Sequence, residues 1–564
     1  MSILTIVDVT GTQKYIFGTN KLRENIGASE IVAQATSKWI RELVSKEKVI
    51  YCGGGNALLL FDDLIEAKNF ARSYTKKLLQ DAPGLDVVLA HSVGFEKDSF
   101  DEIEVPTDET DDLDQPIKRK ETRPSILKAV DNTFKILSAK KANRRISAPL
   151  LGLAVSAQCV STGGAANGFD EKSKKYVSAE SLAKSDKTDE ANTRLEDEIF
   201  AKLEKYTWGN LALEIPLDFD YLGRTKDEAS YIAVVHTDGN GMGKRVEAAG
   251  ESATSNKDWG EKVSSFSDSI RENNTVALQK TIEFLLDNLN EDHTAIVSAT
   301  GDRIELIKTK VETKRYLPFR PLIFGGDDLT FVCDARIALD LTAFYLRELE
   351  KRDLTDGNPL YARAGIAIVK SHYPFARAYE LAEDLAQRAK ERIMDIDKDN
   401  KEVYALDWHV AMSGLFGSIE EIRKREYTTL QGGKLNMRPL SLQQTDSDDE
   451  WRTWEVFESI VKAFQGHDKN RTEEENEKFN WREKRNKVKA FREALRGENE
   501  KVKEFLRLYK LIEKKPDGTE ESKMPKVPIK VQTIETTGWH GKTCGYFDAI
   551  EMLDLYFPLK EKEG

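Results

Sequence analysis

Two distant stretches of this chain share one pattern. Val49-Ile50-Tyr51-Cys52-Gly53-Gly54-Gly55-Asn56-Ala57-Leu58-Leu59-Leu60-Phe61 and Leu322-Ile323-Phe324-Gly325-Gly326-Asp327-Asp328-Leu329-Thr330-Phe331-Val332 are each a pair of apolar runs joined by a glycine-rich turn. β-Branched and aromatic residues favour strands, and the glycines permit a tight turn with close backbone approach. The surroundings repeat too. Asp8-Val9-Thr10-Gly11-Thr12-Gln13 ends a strand-like run before the first hairpin, and Asp238-Gly239-Asn240-Gly241-Met242-Gly243-Lys244 follows Tyr231 to Thr237 before the second. Apolar spacing predicts an amphipathic helix after each hairpin, Ile65 to Leu79 and Ala335 to Glu350. A further strand follows, around Asp86 to Val93 and Ala362 to Val369. Strand, helix, hairpin, helix, strand, twice over, defines two related α/β units.

The copies differ where chemistry would sit. Gly55 and Asn56 stand where the second copy has Asp327 and Asp328. Two carboxylates on one turn repel each other unless a divalent cation lies between them. Asp238 adds a third acidic candidate. The second unit is therefore the one expected to hold a metal, while the first supplies a wall or a second nucleotide pocket.

At 564 residues the chain is too long for one core, so three or four domains are expected. The 40% hydrophobic and 32% charged content fits a soluble globular protein, and a net charge of −12 argues against bulk nonspecific nucleic-acid binding. Four scattered cysteines contain no Cys-x-x-Cys pair, which argues against a disulfide framework or a cysteine-rich zinc site. Cys52 and Cys333 lie in strand-like runs and are expected in the core. The N-terminus reads as a strand without a signal region, and no apolar run reaches bilayer length, so a cytoplasmic location is expected. Asp101 to Asp114 reads as a solvated acidic loop, and Gly163 to Glu190 as an exposed connection. A helix is predicted from Ile126 to Leu137, and an insert from Glu251 to Arg320 carries another at Val276 to Leu289. Helical periodicity dominates from Trp451 onward. The basic, aromatic span Phe479 to Lys515 is better read as a small bundle with a charged exterior than as a nucleic-acid face.

Asp238 to Lys244, Gly325-Gly326-Asp327-Asp328, and Ala364-Gly365-Ile366-Ala367-Ile368-Val369 with Pro374 and Lys390 after it resemble the palm of the large subunit of type III CRISPR effector complexes. This polymerase/cyclase family is distantly related to diguanylate cyclases. Asp8 to Ile16, Leu22-Arg23 and Gly27-Ala28-Ser29 look like that family's first palm. The likeness spans about residues 1–95 and 230–395. It implies an α/β (α+β) fold with two ferredoxin-like palm/cyclase domains and a helical C-terminal domain. The expected divisions are a degenerate first palm at 1–145, a connecting domain at 146–228, a second palm at 229–420 and helices at 421–564. It also implies Mg2+- or Mn2+-dependent conversion of ATP into cyclic oligoadenylate in antiviral defence. A mono- or dinucleotide cyclase, a short-product polymerase and a non-catalytic nucleotide-binding subunit are the alternatives.

The chain departs from the family in three ways. It starts at the first palm without the family's His-Asp nuclease domain, and His467-Asp468 reads as surface loop. Only Cys159 stands near the usual zinc module, and Asn240 stands where a second aspartate is common. Target-strand nuclease activity is therefore not expected. Guide or target RNA with CRISPR-type subunits, or a second copy of the chain, remain the candidate partners beside the nucleoside triphosphate.

On this resemblance two Mg2+ ions roughly 3.5–4 Å apart would stabilise the attacking and leaving oxygens, with Asp238 and Asp328 as the principal metal ligands and Asp327 completing the site or orienting the attacking 3′-hydroxyl. The Gly239 carbonyl is a further ligand candidate. Asn240 would orient a ligand or substrate, and Gly241, Gly243, Gly325 and Gly326 would let backbone approach phosphate. Lys244 and Lys390 are candidates for the triphosphate. His236 shares a strand face with Asp238, where it either contacts substrate or packs. Asp8, Gln13, Arg23 and Ser29 are the first copy's candidates for a second nucleotide.

Overall fold

The computed structural model describes residues 1–96, 99–110, 116–144, 155–171, 174–223, 230–396, 402–411, 417–443, 451–514 and 520–561. The first unit runs β1 (Ile3–Thr10), α1 (Thr12–Phe17), α2 (Leu22–Ala35), β2 (Val49–Gly53), β3 (Asn56–Phe61), α3 (Leu64–Asp81) and β4 (Asp86–His91). Its sheet has the order β2-β3-β1-β4, with β1 antiparallel to both neighbours. This is the ferredoxin-like arrangement expected from the sequence. A ribbon of β5 (Phe100–Thr110) and β6 (Pro116–Pro124) leads to α4 (Ser125–Ala142). The acidic segment read as a loop is thus largely a strand, and its residues 111–114 lie outside the described ones. The two strands pair only with each other, outside both the four-stranded and the six-stranded sheet.

Gly163 to Glu190 is not a mere exposed connection either. It contains α5 (Ala179–Asp186) and the start of α6 (Thr188–Glu198), which pack on α2. The Lys184 ammonium is buried there, donating to the Tyr15 carbonyl at 2.6 Å and to Glu180 at 2.5 Å. A salt bridge of 2.6 Å joins Arg194 of α6 to Glu30 of α2.

The second unit repeats the first: β7 (Tyr231–Gly239), α7 (Met242–Glu251), α8 (Asn256–Asp287), β8 (Phe319–Ile323), β9 (Leu329–Asp334), α9 (Ala338–Glu350), β10 (Ala362–Lys370) and α10 (Phe375–Ile396). β11 (Ala405–Ala411) and β12 (Leu440–Ser441) extend its sheet to β8-β9-β7-β10-β11-β12. The repeat reaches single residues. Gly11 and Gly241, each three positions after its strand aspartate, both adopt the left-handed conformation (φ 66° and 68°) that starts the next helix. α8 is far longer than the predicted Val276 to Leu289, because its first half lies half-exposed along the first unit and shows less apolar periodicity.

α10 lies across β7 and β10 at Gly365. A methyl group there would sit 1.9 Å from the Ala382 carbonyl oxygen and 2.4 Å from the Ala386 nitrogen. Gly365→Ala must therefore lift the helix, and the urea midpoint should report a loss of about 3 kcal/mol.

The C-terminal part is helical as expected, with α11 (Trp454–Phe464), α12 (Arg485–Arg496), α13 (Glu498–Leu508) and α14 (Phe547–Glu551) among its elements. Trp481, Phe491 and Phe505 of the basic, aromatic span are buried in its core, which supports the bundle reading. A buried ionic cluster joins this part to the second sheet. Arg423 grips Asp407 of β11 with two 2.7 Å bonds, and Arg438 donates to Asp548 at 2.9 Å and Glu551 at 2.7 Å. His409 sits in this cluster, its pKa lowered to about 3 by burial and then by Arg438.

His236, similarly buried, is lowered to about 4, mainly by desolvation. Both imidazoles stay neutral in the fold but bind a proton near pH 6.5 once unfolded. The unfolded chain then holds more protons, so stability falls as pH drops from about 6.5 toward 3–4. Urea midpoints at pH 7 and pH 5 should differ accordingly, and His409→Leu should narrow the gap. No helix among the described residues is long and apolar enough to cross a membrane.

Candidate active site

The site forms where the β8–β9 turn meets the end of β7. β7 and β9 pair up to Thr237 and Leu329, so the next step along the ladder puts Asp328 beside Asp238. In the first unit the same step pairs Asp8 with Asn56. The equivalence of Asn56 with Asp328 that the sequence suggested is therefore one of register.

Asp238, Asp327 and Asp328 each offer a carboxylate oxygen within 4.8 Å of the others. Burial, then the charge of Asp238, pushes Asp327 above the usual carboxylate range; burial, then Asp327 and Asp238, pushes Asp328 well above it. Three hard oxygen donors whose charges oppose one another form a set suited to Mg2+ or Mn2+.

Close packing shapes the turn. Gly325 has φ 106°, a left-handed value that a side chain disfavours. A methyl at Gly239 would lie 2.7 Å from Met242 Cγ and 3.2 Å from Asp327 Cβ, so glycine lets the turn close on β7. The Gly326 carbonyl accepts from Asn274 of α8 at 2.7 Å, and Asn274 accepts from the Tyr345 hydroxyl at 2.9 Å. Neither Asn274 nor Tyr345 had a sequence signal, because each acts across a tertiary contact.

Arg363 was also missed, although it is a charged residue in an otherwise apolar strand. It stands opposite Asp238 in the β7–β10 ladder and pairs with its carboxylate. It also donates to the Gly239 carbonyl at 3.2 Å and to the Asn240 side-chain oxygen at 3.1 Å. The Gly239 carbonyl is thus already an acceptor for Arg363. Asn240 is a correction. It is buried, with its amide nitrogen donating to the Val403 carbonyl at 3.0 Å and its backbone N–H to Tyr361 at 2.7 Å. It fastens the strand end rather than facing a substrate.

A cleft of about 1230 Å3 opens between the units. The second unit contributes Gly325, Gly326, Asp327, Met242, Gly243 and α8; the first contributes the β2–β3 tip and α4. The tips touch, since a methyl built on Gly326 would meet Gly54 Cα at 3.4 Å. Tyr51, Phe134 and Trp259 give the cleft flat apolar walls, and its charged lining is mixed, with Arg41, Lys46 and Lys128 alongside Asp131, Glu247 and Glu251.

Lys244 is exposed on α7 and Lys390 half-buried on α10, and neither lines this cleft. Gly241 starts α7. His236 packs, with Nδ1 3.3 Å from the Thr330 hydroxyl and 3.4 Å from that of Tyr379. Among the first unit's candidates, Asp8 is paired with Lys141 at 2.6 Å, and Gln13 donates to Glu383 of α10 at 3.1 Å. Ser29 donates to the Leu322 carbonyl at 2.5 Å, and Arg23 lies 3.6 Å from Asp189, so these two serve packing between segments.

No protein-family model and no curated protein matches the chain. Among solved structures it is similar in fold to a Csm1–Csm4 cassette in complex with cA4, at 12% identity and TM-score 0.49, covering 98% of this chain and 70% of that one. It is similar to a Csm1–Csm4 cassette in complex with cA3 at 12% identity and TM-score 0.43, covering 82% of this chain and 58% of that one. Csm1 in T. onnurineus follows at 12% identity and TM-score 0.40, covering 72% and 53%. The chain thus spans between about half and 70% of the length of these structures.

Proposed function

We propose that this chain is a Mg2+- or Mn2+-dependent nucleotidyl cyclase that makes a cyclic oligonucleotide, with ATP as its substrate and the second unit as its working half. The observation that carries this reading is the convergence of Asp238, Asp327 and Asp328 within 4.8 Å on one strand end and one turn. When bound, the divalent metal would stabilise charge on the attacking and leaving oxygens of phosphoryl transfer. The chain's own residues do the positioning. Asp238 and Asp328 hold the metal, Asp327 completes the set or orients a 3′-hydroxyl, and Asn274 fixes the turn from behind. The aromatic walls suit nucleobases, and Arg41, Lys46 and Lys128 are the lining cations available to phosphates. A volume of about 1230 Å3 exceeds the ~300–1,000 Å3 of ordinary small-molecule pockets, which favours a product longer than one nucleotide.

The choice of adenine, the role in antiviral defence and the assembly with guide or target RNA and CRISPR-type subunits rest on the sequence resemblance. Purified protein incubated with Mg2+ or Mn2+ and each nucleoside triphosphate, with and without candidate RNA, tests the proposal by mass spectrometry. Release of pyrophosphate with a cyclic oligoadenylate is the expected result. Bound but unconverted nucleotide under every condition would instead favour a non-catalytic subunit.

A further inference from the structure

The second unit carries a cation that the first lacks. The register places Val88 opposite Asp8 but Arg363 opposite Asp238. In the first unit the aspartate's countercharge comes instead from Lys141, near the end of the helix covering that face. In the second unit Lys390, on the matching helix, forms no ion pair among the described residues, and it is strand β10 that supplies the charge, through Arg363.

Arg363 is also held independently of any metal. Its Nη1 is shared between the Gly239 carbonyl and Asn240, and Asn240 is tied in turn to Val403 and Tyr361. The residue is only 7% exposed, and its Nε has no acceptor. An uncharged Asn240 leaves the guanidinium charge directed at Asp238, where an aspartate would have competed for it.

We infer that Arg363 is a built-in cation standing in for one of two metal charges, so that before nucleotide binds the three aspartates hold one divalent ion rather than two. Three carboxylates and one fixed guanidinium leave two negative charges, which a single divalent ion neutralises. A second ion would enter an already neutral site beside a fixed positive charge, without the phosphates that usually help ligate it. Arg363 is in this account a positioning residue, acting on the metal through Asp238.

The inference rests on reading the triad as a metal centre, and counting ions separates the two. Mn2+ binding to the full chain, without nucleotide, is measured by equilibrium dialysis and by the Mn2+ spin-resonance signal. The doubly substituted Asp327→Asn, Asp328→Asn protein gives the background. Wild type should bind one ion above that background. Arg363→Gln should bind two, or one at least about tenfold more tightly, and Arg363→Lys should resemble wild type. Asn240→Asp, which draws the guanidinium charge away from Asp238, should tighten binding in the same direction and decides the matter if Arg363→Gln does not fold. Two ions on the wild-type triad, or unchanged number and affinity in the folded Arg363→Gln protein, would overturn the inference. No ion above background would overturn the metal-centre reading itself.

Discussion

Replacing Asp327 and Asp328 together with alanine should abolish nucleotide turnover, by ~10³-fold or more, since metal-centred charge stabilisation is lost at once. The fold should survive. Burial and the charge of Asp238 push both carboxylates up, with Asp327 adding to the push on Asp328, so removing them relieves repulsion in the metal-free chain. The measurement is pyrophosphate release per chain beside a melting curve, with nucleotide binding followed separately. The variant should melt no lower than wild type without metal and should lose the gain in melting temperature that Mg2+ gives wild type. The corresponding change in the first unit, Asn56→Ala, should leave turnover within a few-fold, because Asp8 is already occupied by Lys141. Turnover retained in the double variant would remove the second unit from the chemistry.

The largest effect on stability is expected far from the turn. Arg438 is fully buried between Asp548 and Glu551 and lies 5.0 Å from the Trp408 ring. Asp548 accepts as well from the backbone N–H groups of Met437 and Arg438, so its position is fixed. Arg438→Met removes the cation and leaves two buried acidic groups with hydrogen bonds, from backbone N–H groups and the Tyr427 hydroxyl, but no ion-pair partner among the described residues. Breaking one side of a buried ion cluster costs about 3–5 kcal/mol. Denaturant unfolding should show that loss, with β11 and the C-terminal helices separating first by hydrogen exchange. A triple change that also makes Asp548 and Glu551 apolar should recover much of it, because the cost lies in the unbalanced charges.

The sequence made the frame visible wherever one face of an element is buried. Both hairpins, both flanking helices and the third strands follow from apolar alternation, and Asp238 with Asp327-Asp328 stood out as acidic ends of apolar strands. What stayed hidden depends on register or on polar packing. Arg363 matters only because the ladder sets it opposite Asp238, and Asn274 only because a long helix passes behind the turn. α5 and α6 looked like a solvated connection because they dock through ions such as Lys184 and Arg194 rather than through an apolar stripe. Asn240 was misread for the same reason: standing where the resembling family often has a second aspartate, it suggested a ligand contact, but the strand end uses its amide internally.

The neighbouring tips at Gly54 and Gly326 set how closely the two turns can come together. A turn without carboxylates lies beside the acidic one, so the two units approach each other through bare backbone. The spacing is asymmetric: a methyl on Gly326 would reach Gly54 Cα at 3.4 Å, whereas one on Gly54 would meet nothing within 4 Å, so the tight side of the seam is residue 326.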